Sequence, residues 1–350
     1  MKRLPKADLI YQRLKNYCSG LQEGEKFPSV RQLMRNFDVS QLVVKTVIDR
    51  MCAEGMLTAV PRSGIRVLKP PTVFAHRILA LTPGWFGFVP EVVNLLQFEI
   101  ARRGDHFEVI SYDINKDYLS LPPQAASADV ILIFPSARPF SPCSWKILKE
   151  FGTPVIFVQA TLPADELCSI GGANREGGCL AVDWLWERGH RKFAFLATEP
   201  DSITLTELRE SFSGRCRELN ASCRIIDCGV KLGDIPSVRS YDYLTGYLTG
   251  KRIDFTAAFV SIDIGALGVM KAFQDSGIRI PKDLSVIGYG GNSETALYSP
   301  PLTTITISRA EIARKTIELI DECLRDGSVC HQRRIVYPQL IERSSTSKLI

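Results

Sequence analysis

The residues able to do covalent or metal chemistry lie far apart in this sequence. Its 350 residues include ten cysteines and four histidines, and no two cysteines have CxxC spacing. The closest groups are Cys223 with Cys228 and Cys323 with Cys330-His331, whose spacing is not that of zinc sites. We therefore expect reduced structural thiols, no bound metal and no cofactor.

Catalytic motifs are equally sparse. The sequence contains no Walker P-loop, no HExxH and no GxSxG, and the glycines at 288, 290 and 291 do not form a GxGxxG after a first strand. His190 follows Gly189 ahead of an apolar run, a place where imidazole commonly bonds carbonyl groups at a helix end. No catalytic residue is predicted, and a Rossmann-like enzyme is an alternative without a supporting motif.

The charge distribution points to binding instead. Residues 1–70 carry 13 Lys and Arg against 6 Asp and Glu, a net charge of +7, whereas the rest carries 30 against 32, a net charge of −2. Such asymmetry favours a polyanion-binding module attached to a neutral body, with a basic solvated face as the alternative. The length predicts two or three domains. Because no apolar run could cross a bilayer and no signal-peptide core is present, a cytoplasmic location without membrane contact is expected.

The basic segment is predicted to fold as three short helices and a hairpin. Apolar spacing and capping residues mark the helices, and alternating apolar residues around a Pro-Arg-Ser-Gly turn mark the hairpin. The first helix places Ile10, Leu14 and Tyr17 on one face, while Ser29 and Gln32 form a capping box at the start of the second. The predicted elements are helices at 7–19, 30–36 and 41–54 and strands at 56–60 and 65–68.

The third helix has an apolar and a polar face. At 100° per residue Gln41, Leu42, Lys45 and Thr46 face outward, and Ser40 stands at the N-cap. Three helices and a hairpin make a winged helix-turn-helix, whose third helix can enter the major groove of DNA. Winged helices also dock proteins, but the local charge favours DNA. The apolar arc contains Val43, Val44, Val47, Ile48 and Met51.

Four strings within residues 7–69 are typical of one family. They are Gly24-Glu25-Lys26-Phe27-Pro28-Ser29-Val30-Arg31-Gln32-Leu33, Val39-Ser40, Glu54-Gly55-Met56-Leu57 and the wing glycine Gly64. Through them the segment resembles the GntR family of bacterial transcription regulators. The resemblance implies that Arg31 and Lys45 contact DNA.

The recognition helix departs from the family pattern at two positions. The family usually has Arg and Thr where Gln41 and Leu42 stand. Gln can bond adenine and Leu can touch a thymine methyl group, so a shifted operator preference is expected. The predicted DNA-binding residues are Arg31, Ser40, Gln41, Leu42, Lys45, Thr46, Arg62 and Gly64.

The remainder of the chain has a different pattern. Two prolines at 70 and 71 interrupt the hairpin, which predicts a linker over 70–76. From residue 77 onward apolar strands alternate with amphipathic helices, which predicts parallel sheets with right-handed crossovers. This stretch is too long for one doubly wound sheet, and a break around 161–174 falls near its middle. Two α/β lobes around a cleft are therefore predicted.

Several strings in the large domain are together specific for a second family. Through them residues 77–347 resemble the sugar-binding domain of the LacI/GalR regulators, which is itself similar to periplasmic binding proteins. They are residues 187–195 (ERGHRKFAF), Asp263 followed by Gly268, 280–289 (IPKDLSVIGY), 300–305 (PPLTTI) and 338–345 (PQLIERSS).

Departures from that family concern the sugar site. Gly290 replaces an acidic residue that bonds sugar hydroxyls, Ile262 stands where Asn is common, and Ala173 precedes Asn174 in place of Asp. Unmatched hydroxyl groups cost about 1–3 kcal/mol each, so a standard hexose is not expected.

Five residues are predicted to contact the effector, each with an open alternative. Phe86 and Phe88 could stack on a ligand or pack a lobe surface. Arg209 could bind an anionic or hydroxyl group or be a solvated helix charge. Asp263 could contact ligand or cap a helix, and Asn292 is similarly ambiguous.

The sequence thus predicts an N-terminal winged helix-turn-helix at 1–69, a linker at 70–76, and a two-lobed doubly wound α/β, periplasmic-binding-protein-like domain at 77–350. The predicted function is a small-molecule-responsive transcription regulator, expected to be a repressor, in which a bound carbohydrate or similar molecule alters operator binding by a homodimer. The partners would be double-stranded operator DNA, the effector and a second copy of the chain. The alternative is a soluble sugar-binding protein without DNA function, against which the basic segment argues.

Overall fold

The computed structural model separates the chain into two compact units, Met1–Ala75 and His76–Ile350. No helix among the described residues is long and apolar enough to span a membrane. The described residues are 6–60, 64–68, 75–84, 89–114, 121–136, 140–160, 162, 167–250, 252–326 and 332–349.

The first unit, called the head below, is the predicted winged helix-turn-helix. The two strands pair antiparallel, with Leu57 opposite Val67 and Val60 opposite Gly64. The segment before the second helix lies along the hairpin, since the amide of Phe27 donates to the carbonyl of Ile65. The elements are α1 (Lys6–Ser19), α2 (Val30–Phe37), α3 (Gln41–Ala53), β1 (Leu57–Val60) and β2 (Gly64–Val67).

Capping and burial in the head follow the sequence, with two corrections. The capping box of Ser29 and Gln32 is present at the start of α2. Ser40 occupies the N-cap of α3, but its side chain makes no capping hydrogen bond. Tyr17 is half exposed, and Tyr11 is the buried aromatic residue of α1. Tyr11 can be buried because its hydroxyl donates to Glu54, which satisfies its polar end.

The second unit contains two six-stranded sheets. One, the N-lobe, has the strand order β13-β7-β6-β5-β3-β4, and the other, the C-lobe, has the order β14-β12-β11-β10-β8-β9. Neighbouring strands are parallel except for β12 and β14. The strands are β3 (Arg77–Thr82), β4 (His106–Ser111), β5 (Val130–Ile133), β6 (Val155–Val158), β7 (Cys168–Gly172), β8 (Lys192–Ala197), β9 (Ser222–Asp227), β10 (Ala257–Val260), β11 (Ser285–Tyr289), β12 (Thr303–Ile307), β13 (Arg333–Val336) and β14 (Pro338–Ile341).

Helices cover both faces of each sheet, which produces the predicted doubly wound lobes. Each sheet has one apolar cluster on either face, and the four clusters contain most of the buried aliphatic and aromatic residues of this unit. The helices are α4 (Val89–Arg102), α5 (Pro142–Glu150), α6 (Asn174–Glu187), α7 (Ile203–Glu218), α8 (Pro236–Leu248), α9 (Asp263–Asp275) and α10 (Arg309–Asp326).

The chain passes between the lobes three times, at Ala173, Ser308 and Tyr337. The first and third passages are joined, because the amide of Ala173 donates to the carbonyl of Val336. The predicted break at 161–174 is therefore only partly correct. It contains the buried strand β7, and two later passages also connect the lobes.

Buried His190 anchors the C-terminal segment. Its side chain is 2% exposed, and its ring nitrogens lie 2.9 Å from Thr256 Oγ1 and 3.1 Å from the carbonyl oxygen of Ser347. The imidazole thus bonds a distant segment rather than the end of its own helix. Burial holds the pKa of His190 below its usual range.

Candidate functional site

The polar face of α3 is exposed, as the sequence pattern predicted. Gln41, Leu42, Lys45 and Thr46 are all exposed, and Leu42 is 75% exposed despite its apolar side chain. Their opposite neighbours Val44, Val47, Ile48 and Met51 form the core. Val43 is only partly buried. The outward orientation of the four residues is thus confirmed.

Local hydrogen bonds organise the start of this helix. Thr46 Oγ1 donates to the carbonyl of Leu42 at 2.9 Å, so its hydroxyl is already bonded within the helix. In the first half of α3, Gln41, Leu42 and Lys45 therefore supply exposed side chains without a hydrogen bond to the helix backbone of the kind that Thr46 makes. Arg31, in the first turn of α2, is also exposed.

The wing brings a basic side chain that sequence reasoning missed. Gly64 opens β2 with φ +89°, a conformation that favours glycine, and the Cε of Lys26 lies 3.9 Å from where a Cβ of residue 64 would stand. Lys26 pairs with Arg66 through an isolated antiparallel bridge. A sequence signal for Lys26 was present, because this lysine stands in the string Gly24–Leu33 that is typical of the GntR family. Arg62 lies outside the described residues.

In the C-lobe, the loops after β8, β10 and β11 form one edge, called the carboxyl edge below. In open α/β sheets ligands bind outside the carboxyl ends of the strands. Asp263, after β10, is fully buried and accepts hydrogen bonds from Thr304 Oγ1 at 2.7 Å and the amide of Asn292 at 2.8 Å. Burial raises its pKa, and these hydrogen bonds oppose that rise.

The predicted alternative that Asp263 caps α9 is wrong. Ile262 occupies the N-cap, and Asp263 is the first helical residue, with its carboxylate directed to β12 and the loop after β11. Close approach is possible because residue 288 is glycine: a Cβ there would lie 2.2 Å from Asp263 Oδ1. Asp263 therefore joins the loop after β10 to the loop after β11 and to β12.

A second network spans the start of α6 and the end of β11. The hydroxyl of Tyr289 donates to Asn174 Oδ1 at 2.7 Å, and Asn174 Nδ2 donates to Glu207 Oε2 at 2.9 Å. Tyr289 is buried, and burial with the nearby carboxylates of Glu199, Glu207 and Glu176 raises its pKa. The side chain of Asn174 is thus bonded on both its oxygen and its nitrogen.

Arg309 connects the carboxyl edge to the N-lobe. From the start of α10 its guanidinium donates to Thr306 Oγ1 at 2.9 Å and to the carbonyl of Gly291 at 3.3 Å. Its Nε lies 3.1 Å from Glu91 of α4. The loop that carries Asn292 is therefore held by a cation that also pairs with the other lobe.

Glu199 follows β8 and was not singled out from the sequence. It is partly buried, and burial raises the pKa of its carboxyl to about 8, against the opposing effect of a hydrogen bond with Ser261. A carboxyl group that keeps its proton at neutral pH can donate a hydrogen bond.

The predicted effector residues are brought together only in part. Asp263 and Asn292 meet through the hydrogen bond above. Arg209 is partly exposed on α7, and among the described residues it makes no hydrogen bond or ion pair with either. Phe86 and Phe88 lie outside the described residues. No group of three or more His, Cys, Asp or Glu that could hold a metal occurs within the described part of the chain.

Two family models match this sequence. Residues 6–67 match the model described as bacterial regulatory proteins, gntR family, and residues 182–346 match the periplasmic binding protein-like domain. The chain is a DNA-binding transcription regulator with a GntR-type head. The predictions of the winged head, the periplasmic-binding-protein-like domain and transcription regulation are thereby confirmed.

Curated relatives of this regulator are transcriptional repressors. It is 26% identical to the HTH-type transcriptional repressor PurR of Haemophilus influenzae over 326 residues, 89% of this chain and 95% of the relative. It is 32% identical to PurR of Vibrio atlanticus over 183 residues. That alignment covers 50% of this chain and 52% of the relative, so the regulator spans about half the length of this second match.

Solved structures share the fold of the two-lobed unit. A LacI family transcriptional regulator of Enterococcus faecium with bound ribose gives a TM-score of 0.65 at 20% identity, over 78% of this regulator and 100% of that chain. A transcription regulator of Lactobacillus plantarum gives a TM-score of 0.64 at 17% identity, with the same coverage of each chain.

Proposed function

We propose that this regulator is a repressor whose head binds operator DNA and whose two-lobed domain binds a small molecule that changes DNA binding. The observation that carries the proposal is the exposed face of Gln41, Leu42 and Lys45 on a helix whose other face is the core of the head. We assign DNA reading to residues 1–69, and effector binding and dimerisation to residues 77–350, joined by 70–76.

The exposed side chains match the chemistry of DNA. Gln41 would bond the N6 and N7 of adenine, Leu42 would contact a thymine methyl group, and Lys45 would bind guanine or phosphate oxygens. Arg31, in the first turn of α2, would also contact the DNA. Ser40, Thr46 and Gly64 would place backbone against DNA, and Arg62 would neutralise a phosphate from the wing.

The test is a genomic binding footprint of the full chain followed by gel shifts on the recovered operator. Lys45→Ala is expected to weaken operator binding by about 1–3 kcal/mol and to bind random DNA almost as well as the wild type does. If the variant kept the wild-type ratio of operator to random DNA affinity, the role of α3 in sequence reading would be wrong.

The proposed effector is a carbohydrate or a molecule of similar size and polarity, bound between the lobes. Solved relatives of the same fold hold ribose or D-xylulofuranose. Arg209, Asn292, Phe86 and Phe88 are the proposed contacts. Asp263 would act by holding Asn292, because its oxygens are already bonded to the protein.

Ribose and xylulose are the first probes for the effector site. Binding to the full chain is expected to raise its melting temperature and to alter operator affinity. Arg209→Ala should abolish the rise in melting temperature that the sugar causes. The control Arg252→Ala, which removes another arginine, one that is exposed, should retain that rise. Equal shifts in both variants would exclude Arg209 as a contact.

The proposed assembly is a homodimer through the large unit. One head offers one recognition helix, which contacts one half-site of the operator. Specific binding in the presence of the many competing sites of a genome requires more contacts, and two heads on paired half-sites supply them. Leu95 and Phe98 of α4 are exposed, as are Ile235, Val238 and Leu267 around α8 and α9. A second copy would cover these apolar residues.

Light scattering of the full chain tests the dimer. Phe98→Asp combined with Val238→Asp should give a monomer, while Leu232→Asp, at another exposed apolar position, should leave the wild-type mass. A dimeric double variant would place the interface elsewhere.

A further inference from the structure

A cavity of about 790 Å³ opens at the amino ends of the C-lobe strands. It lies among Lys192 at the start of β8, the segment 248–256 that leads from α8 to β10, residues 276–278 after α9, and Asp283 ahead of β11. The carboxyl edge, where the effector site is proposed, is at the opposite ends of the same strands. The cavity is therefore separate from that site, and its volume is within the range of small-molecule sites.

The floor of the cavity is apolar. Leu248 and Phe255 are buried in the core cluster that the sheet forms with α8 and α9, and they also line the cavity. Ile253 and Ile278 pack against the same cluster and remain partly exposed. An apolar group bound over these side chains would remove their surface from water, which favours binding.

One wall of the cavity is held in place by hydrogen bonds. The amide of Thr256 donates to the carbonyl of Lys192 at 2.9 Å, and Thr256 Oγ1 lies 2.9 Å from Nδ1 of buried His190. Thr256 and the backbone of Lys192 are thus fixed relative to the core. A ligand would meet a wall that is already formed.

The acidic side chains at the rim are already paired. Asp254 Oδ2 accepts a hydrogen bond from Arg224 Nη2 at 2.7 Å. Asp283 accepts two hydrogen bonds from the guanidinium of Arg279, at 2.7 and 2.6 Å. These bonds lower the pKa of Asp283 to about 2. The two carboxylates are therefore ionised, and each is compensated by an arginine.

Two basic side chains of the rim have no such partner. Lys192 and Arg252 are exposed, and within the described part of the chain the side chain of neither makes an ion pair or a hydrogen bond. The carboxyl ends of α8 and α9 also meet the cavity, and each contributes about half a negative charge. Two full positive charges exceed these partial charges, so the cavity attracts an anion.

We propose that this cavity is a second small-molecule site, which binds an organic anion with an apolar body. The apolar body would lie on Ile253 and Ile278, while the anionic group would pair with Lys192 and Arg252. A neutral sugar has neither feature, so the ligand differs from the effector proposed above. The proposal does not depend on the assignments of DNA reading and effector binding, because the residues that carry it belong to neither site.

The experiment titrates the full chain with 2-naphthoate, an aromatic carboxylate, by isothermal titration calorimetry. The wild type is expected to bind it saturably, with a dissociation constant of about 1 mM or lower. Two matched compounds separate the two features of the ligand. 2-Naphthamide has the same shape without the charge, and acetate has the charge without the rings, so each should bind at least about tenfold more weakly.

Variants test the residues of the cavity. Lys192→Ala and Arg252→Ala should each weaken the binding of 2-naphthoate about two- to fivefold, as expected for an exposed ion pair, and the double variant should weaken it about tenfold. Ser276→Phe keeps both cations and places a ring in the cavity, so it should also weaken binding at least about tenfold. The control Lys231→Ala removes an exposed lysine elsewhere in the C-lobe and should bind as the wild type does. Circular dichroism confirms that each variant is folded.

Several outcomes would overturn the proposal. They are a folded wild type that does not bind 2-naphthoate saturably, equal affinity for 2-naphthamide, and wild-type affinity in the double variant or in Ser276→Phe. Arg209→Ala should leave the affinity unchanged, and a loss of affinity there would place 2-naphthoate in the proposed effector site instead. Failure of ribose or operator binding, by contrast, would count against the proposed function and not against this cavity.

Discussion

The face of α3 and the carboxyl edge of the C-lobe use polar side chains in opposite ways. On α3, Gln41 and Lys45 project into solvent from the polar face of the helix, opposite its apolar face. At the carboxyl edge Asp263, and beside it Asn174, are bonded to other parts of the protein. A surface that meets a large partner can leave its groups exposed, whereas an edge made of loops must first hold those loops in place. Substitutions should therefore affect binding in the head and stability at the edge.

The largest effect is expected at Asp263. Asp263→Ala leaves Thr304 Oγ1 and the amide of Asn292 without their acceptor in a buried place, which should lower the free energy of unfolding by about 2–4 kcal/mol. Chemical denaturation of the full chain measures this. Asp275→Ala, which removes an exposed partner of Lys271, is the control and should cost less than about 1 kcal/mol. Equal losses in the two variants would contradict the structural role of Asp263.

Arg31 tests the other side of the comparison. Arg31→Ala should weaken operator binding by about 1–3 kcal/mol, or roughly 5- to 150-fold, without lowering the melting temperature, because the side chain is exposed. Arg13→Ala, an exposed arginine of α1, is the matched control. A loss of affinity accompanied by a similar loss of stability would mean that the head, too, uses its polar residues for structure.

Glu199 sharpens the comparison through pH. Burial raises its pKa from 4.5 to about 8, so the folded chain keeps a proton that the unfolded chain releases near pH 4.5. The stability gained is complete below pH 4.5 and is lost as the pH rises through 8. Since solvent reaches part of the side chain, a loss of about 1–2 kcal/mol between pH 5 and 9 is expected.

Glu199→Gln should remove this pH dependence, while exposed Glu187→Gln should retain it. Denaturation of the wild type and both variants at several pH values measures the difference. A wild type whose pH dependence matches that of Glu199→Gln would show that the carboxyl is ionised in the fold.

The head could be predicted almost entirely from sequence because its signals are local. The capping box at Ser29, the apolar arc of α3 and the glycine of the wing each depend on residues a few positions apart. The error at Tyr11 and Tyr17 has a different origin. Helical spacing alone favoured Tyr17, whereas the buried position of Tyr11 depends on Glu54, which is far along the chain.

The two lobes could be predicted as an alternation of strands and helices, but the contacts at the carboxyl edge and beside it could not. β7 was missed because its Cys-Ser-Ile-Gly-Gly sequence has weak strand propensity, and its neighbour β13 is distant in sequence. The bonds of Asn174 to Tyr289 and Glu207 likewise join residues from three elements. Because the three residues are far apart in sequence, only the fold shows that their polar groups are bonded to one another.

The smallest effect is expected at Lys26, beside the wing. No ion pair to Lys26 is found in the described part of the head, and its side chain runs toward Gly64, so it is placed to neutralise one phosphate. Each phosphate contact contributes about 0.9 to the slope of log K against log salt concentration. Lys26→Ala should therefore reduce the magnitude of the slope by about 0.9 and weaken binding to operator and to random DNA equally.

Arg62→Ala should have the same effect on the slope, whereas Lys282→Ala, which removes an exposed lysine of the large unit, should leave the slope unchanged. The measurement is a salt titration of DNA binding by fluorescence anisotropy. An unchanged slope in Lys26→Ala would confine the DNA-binding surface to α2, α3 and the tip of the wing.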